Sequence, residues 1–289
     1  MAYGSIGVVC LKDTMMKNVL ALVVSGTILV SALSMTAFAA SKPDRVSVRY
    51  VPPKNPVHQK IYVELKQRAA LERLQEFLSP IRLPEKLRIS LAECDGEPDA
   101  FYEDAAITIC YEYINDLWEN MPDETTLDGV APIDLVIGPL FEVSLHEVAH
   151  ALFDMLELPV LGREEDAADQ VAAYIMLQFG EVEARRLVVG TAYAYKTDEK
   201  RSGPCRPVED YASEHSTPAQ RGFNLLCIAY GADSKLFTDI VSKGYLPKER
   251  AEYCEEEYEQ VQGAFEILIK PHLDPVLAEK ALNNSWLRD

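Results

Sequence analysis

Residues 133–158 read IDLVIGPLFEVSLHEVAHALFDMLEL, and this stretch decides what the rest of the chain must accommodate. Apolar side chains such as Val136, Leu140, Phe141, Leu145, Val148, Leu152 and Leu156 would surround a helix over 133–158 almost completely, so that helix must lie inside the protein. Glu142, His146, His150 and Asp154 interrupt the pattern at every fourth position and form one polar stripe along it. Polar groups carried into an apolar interior are costly unless something pairs them, and a metal ion pairs two imidazoles at once. In His146-Glu147-Val148-Ala149-His150 the i, i+4 spacing puts both imidazoles on one face, at two corners of a zinc tetrahedron. Glu147 stands about 100° round the helix from His146 and about 60° from His150, beside such a metal rather than on it. A carboxylate there can take a proton from a zinc-activated water that attacks a carbonyl.

A catalytic zinc needs a third protein ligand and one open position. Pro159 and Gly162 end the first helix, and a second is expected over 163–179, opening Arg163-Glu164-Glu165-Asp166. Glu164 and Glu165 both border the apolar face set by Ala168, Val171, Ala172, Ile175 and Phe179, so the helical repeat leaves the choice between them open. Acidic residues also favour a helix's first turn for their own sake, through its dipole.

His146-Glu147-Val148-Ala149-His150 followed by Glu165-x-x-x-Asp169 resembles the gluzincins, the thermolysin-like zinc peptidases. That resemblance implies a zinc held by His146, His150 and Glu165, with Glu147 as catalytic base and Asp169 orienting the His146 ring. It also implies a side chain from a distant segment that stabilises the oxyanion, for which His215 is the first candidate and Tyr211 the second. The segment between His150 and Glu165 is shorter than in thermolysin, which implies a more compact surround. The metzincin pattern does not fit, because Phe153 stands where its Gly would be and Leu156 where its third His would be. A broader resemblance, over Cys94 to Cys110, the two site helices and Pro218-Ala219-Gln220-Arg221 through Cys227, is to an uncharacterised family of bacterial exported metallopeptidases. The activity implied is hydrolysis of peptide or protein substrates. The alternative is an exported binding or structural protein whose zinc is structural or whose catalysis is lost.

Toward the N-terminus, the alternation over 45–51 predicts a strand, stopped by Pro52, Pro53 and Pro56. Apolar residues every three to four positions predict one helix over 58–77. A second strand is expected over 87–91, and a hairpin from 100–102 and 106–111 that turns at Asp104. Tyr111, Glu112 and Tyr113 would then either lie on an edge able to bind a peptide by strand addition or simply end that strand. Toward the C-terminus, the polar residues 198–216, with Gly203, Pro204 and Pro207, predict a long loop, and helices follow over 218–230 and 247–269. The expectation is an α+β fold in one domain over 40–289. Residues 40–121 would supply a small mixed sheet with a helix, and 122–289 a mainly helical half around the buried metal-binding helix.

Lys17, the apolar run that begins at Val19 and the exit Ala37-Phe38-Ala39 predict a secretory signal over 1–39, started at Met15 or Met16 and cleaved after Ala39. The mature chain is then periplasmic or secreted, with no stable membrane insertion. In an oxidising compartment its cysteines read as disulfide partners, and nearest-neighbour pairing gives Cys94–Cys110 and Cys227–Cys254 with Cys205 odd. A net charge of −18 argues against nucleic acid as a partner, since phosphate binding needs clustered Lys and Arg.

Overall fold

In the computed structural model, which describes residues 45–125, 129–203 and 206–283, strand β1 (Val46–Tyr50) pairs in parallel with β2 (Leu87–Ala92). The crossover between them is made by α1 (Pro56–Gln67) and α2 (Ala70–Leu78). The expected hairpin follows as β3 (Ala100–Glu103) and β4 (Ala106–Cys110), with β4 parallel to β2, giving a mixed sheet in the order β1-β2-β4-β3. Leu87, Ile89 and Leu91 on β2 and Ile107 and Ile109 on β4 are buried, the every-second-residue face that a strand turns to a core. Between β3 and β4, Asp104 and Ala105 take φ of 49° and 55°, the left-handed pair that a two-residue hairpin turn requires. The signal over 1–39, Cys10 and the odd Cys205 lie outside the described residues.

The single helix expected over 58–77 is two helices. Ala69 takes φ 51° at the join, a conformation that costs an L-residue about 1–2 kcal/mol. A contact from β1 holds the second start in place: the amide of Leu71 donates to Tyr50 Oη at 2.8 Å, and that hydroxyl donates to Glu72 Oε2 at 2.8 Å. Neither Gly nor Pro marks this break, so the sequence pattern runs through it.

Residues 111–113 are not an edge strand. They open α3 (Tyr111–Glu119), where Tyr111 is fully buried with its hydroxyl donating to Val51 O at 2.8 Å, and Glu112 accepts from the amides of Cys94 and Gly96. The terminal strand on this side of the sheet is β3.

The helical half is built round α4 (Asp134–Met155), of which 16 of 22 residues are buried. By length and composition α4 could cross a membrane, but here it is enclosed by protein. It packs mainly on α5 (Glu164–Met176) and α6 (Glu181–Ser202). Helix α6 takes up the start of the expected 198–216 loop. Its approach to α4 is close enough that a methyl group on Gly190 would lie 2.1 Å from Asp134 O. Then come α7 (Pro218–Ala232), α8 (Thr238–Ser242), α9 (Lys248–Ala251), α10 (Cys254–Leu268) and α11 (Pro275–Leu282). The helix expected over 247–269 is thus divided into α9 and α10. Both expected disulfides are present: Cys94–Cys110 ties the approach to β3 to the end of β4, and Cys227–Cys254 ties α7 to α10.

Candidate metal centre

Four elements meet at the polar stripe of α4. The stripe runs from buried Glu142 through His146, at 2% exposure, and partly buried His150 to exposed Asp154. Against it lie the first two turns of α5, which carry Glu164, Glu165 and Asp169. The loop ahead of α7 brings His215 over the same spot. Ser216 anchors that loop, accepting from Arg163 Nη2 at 2.8 Å and donating to Asp166 Oδ1 at 2.7 Å. Thr217 then starts α7 with a capping box closed by Gln220.

The imidazole Nε2 atoms of His146 and His150 are 3.1 Å apart, and Glu165 Oε2 is 3.0 Å from the first and 3.4 Å from the second. Donors that share one tetrahedral zinc at its usual bond lengths stand about 3.3 Å from each other. Two imidazoles and one carboxylate so arranged fit a zinc-type ion. The other face of each imidazole is held. His146 Nδ1 donates to Asp169 Oδ1 at 2.8 Å, and His150 Nδ1 donates to Glu164 Oε1 at 2.8 Å. Glu165 and Glu164, which the helical repeat could not separate, therefore occupy different places: Glu165 faces the two Nε2 atoms, and Glu164 lies behind His150. His215 Nε2 lies 2.7 Å from Glu165 Oε2, with its ring stacked on His146 at 5.7 Å between centroids. Tyr211, the second oxyanion candidate, is exposed and does not line the cleft.

Behind this cluster stands a buried ionic chain that the sequence reading did not assign. Arg221 on α7 grips Asp169 with Nε at 2.8 Å from Oδ2 and Nη2 at 2.5 Å from Oδ1, and reaches Glu142 Oε1 at 3.4 Å. Tyr195 on α6 donates to Glu142 Oε1 at 2.7 Å, and its ring underlies the Arg221 guanidinium at 4.9 Å. A signal for Arg221 was available, because it precedes Leu225 and Ile228 by four and seven residues and so sits on the buried face of α7.

These contacts set the protonation of the site. Hydrogen bonding to His146, against the opposing effect of burial, pulls the Glu165 carboxyl down to about 2. Burial would raise Asp169, but His146 and Arg221 hold it below the usual carboxylate range. Burial would lower His146, but the Asp169 and Glu165 carboxylates outweigh it and lift the imidazole to about 10. Glu142 is raised by burial, which Arg221 opposes without cancelling. Burial also pushes the Glu147 carboxyl, only 6% exposed, up to about 7. Glu147 opens onto a cleft of about 650 Å³ whose walls include His146, His150, Glu165, His215 and the residues of β3 from Ala100 to Tyr102.

No curated protein and no solved structure matches this chain. A family model described as "putative metallopeptidase" matches residues 50–269, from the last residue of β1 to just past α10, a span that takes in every donor described above. The chain belongs to that metallopeptidase family, DUF4344.

Proposed function

We propose that this chain is a zinc-dependent peptidase of gluzincin type, exported from the cytoplasm and acting on peptide or protein substrates. The observation that carries the reading is the convergence of His146 Nε2, His150 Nε2 and Glu165 Oε2 within 3.4 Å of one another, beside a buried carboxylate that is not among them. Two imidazoles and a carboxylate are a donor set that suits zinc, with room left for a fourth ligand. Zinc held there supplies Lewis acidity, polarising a carbonyl and lowering the pKa of water. Every other task falls to side chains. Asp169 and Glu164 fix the two imidazoles so that their Nε2 atoms face the same point. Glu147 accepts a proton from the attacking water and delivers it to the leaving nitrogen, a transfer for which a carboxyl near neutrality suits. His215 donates to the carbonyl oxygen as that atom gains charge. The substrate backbone pairs with β3, the terminal strand that lines the cleft. Two disulfides are consistent with an oxidising compartment.

The test is one pair of proteins. Purified mature protein is expected to carry one zinc and to cleave unfolded protein or a peptide library, whereas Glu147→Gln keeps the zinc and loses at least about 100-fold in rate. Wild-type protein without stoichiometric zinc, or a Glu147→Gln variant that cleaves normally, would refute the reading.

A further inference from the structure

The cleft over the metal donors is walled by more carboxylates than the proposed reaction uses. Asp99 precedes β3, Asp154 ends the α4 stripe and Glu214 adjoins His215. Among the described residues, the lining holds one permanently cationic side chain, Arg163, and Asp166 engages it at 3.2 Å. A divalent metal and Arg163 together leave that lining net negative. A concave wall of one sign focuses its field on whatever enters.

Asp154 is the carboxylate whose place is built. It lies one helical turn beyond His150, and the hydroxyl of Tyr102, on β3, donates to its Oδ2 at 2.7 Å. The contact joins the metal-binding helix to the strand that borders the cleft, at a point exposed to solvent. The outer edge of β3 carries no strand among the described residues. A peptide paired there runs past the metal donors and presents alternate side chains toward α4. We propose that this cleft takes peptides bearing Lys or Arg beside the scissile bond, and that Asp154 is the side chain that selects them. The inference rests on the peptidase reading and adds the substrate class to it. Acidic side chains at the same positions would meet like charge, and neutral ones would gain nothing from Asp154.

The experiment uses zinc-loaded mature protein and two fluorogenic peptides, identical except for Lys or Glu at the positions flanking the scissile bond. The ratio of kcat/KM, Lys over Glu, is expected to be about two- to fivefold at low salt, the scale of one exposed ion pair. It should shrink at about 1 M salt, where screening shortens to about 3 Å. Asp154→Asn keeps a partner for Tyr102 and is expected to retain zinc while lowering the ratio toward one. The same peptides are titrated into zinc-loaded Glu147→Gln by fluorescence anisotropy, where Lys should bind more tightly than Glu. Cleavage with an equal or inverted ratio, or a ratio unchanged in Asp154→Asn, overturns this inference and leaves the peptidase reading intact. Selective binding of the Lys peptide without cleavage by the wild type supports selection by Asp154 and sinks the peptidase reading instead.

Discussion

Asp169 Oδ1 accepts from His146 Nδ1 at 2.8 Å, and this contact fixes which imidazole nitrogen is left for a metal. A carboxylate only accepts, so Nδ1 keeps a proton for Asp169, and Nε2, which faces Glu165 and His150, is the nitrogen that gives up its proton when a metal binds. Asp169 is itself held by two bonds from Arg221, and although burial works to raise it, His146 and Arg221 together keep it below the usual carboxylate range. Asp169→Asn removes the charge while preserving the shape. Zinc affinity, measured by competition with a chromophoric chelator, is expected to fall 10- to 100-fold, in line with other partners that orient metal-ligating histidines. A variant that folds and binds zinc like the wild type would show that the contact is incidental.

Glu165 and Glu164 are neighbours in sequence with different work. The first faces both Nε2 atoms, and the second accepts from His150 Nδ1 at 2.8 Å while remaining largely exposed. Glu165→Gln should cost at least about 100-fold in zinc affinity and Glu164→Gln no more than about tenfold, since the exposed partner only orients a ligand. Equal losses in the two variants would undo the assignment.

The part of this centre that could be read from the sequence is the part set by local spacing. His146 and His150 share a face because of the helical repeat, and their polar stripe is conspicuous because everything around it is apolar. The choice between Glu164 and Glu165 needed the tilt of α5 against α4, which no period encodes, and only resemblance favoured Glu165. The break at Ala69 depends on Tyr50, a residue in another element, reaching the amide of Leu71. Residues 111–113 have the alternation of a strand, yet the first of them is drawn into the core as the start of α3. Tyr195 could not be placed at all, because it lies on α6, a helix the apolar pattern did not announce.

Glu147 makes the acid–base behaviour of the site visible in stability. Burial pushes its carboxyl up to about 7, above the ordinary value of 4.5. The unfolded chain therefore gives up this proton first as pH rises, and the native state loses stability between about pH 4.5 and pH 7. In Glu147→Gln that loss is gone. Compared after removal of metal by chelator, the variant is expected to match the wild type in Tm near pH 4.5 and to exceed it by a few degrees at pH 8. A variant no more stable than the wild type at pH 8 would mean that the carboxylate is solvated in the folded protein.

Two glycines in helices separate close packing from mere flexibility. At Gly190, in α6, an added methyl group would stand 2.1 Å from Asp134 O, and that atom is backbone of α4, so only a shift of one helix against the other could relieve it. At Gly263, in α10, the same methyl group meets nothing within 4 Å. Gly190→Ala should therefore destabilise the protein by about 1–3 kcal/mol or more, as overpacking does. Because α6 carries Tyr195 to Glu142, the same shift should also weaken zinc binding. Gly263→Ala removes backbone freedom from the unfolded chain at no steric cost and should stabilise by about 0.4–1 kcal/mol with zinc affinity unchanged. Urea unfolding with a parallel zinc titration checks both. If Gly190→Ala left stability unchanged or raised it, the close contact between α4 and α6 would not be what holds α4 in register.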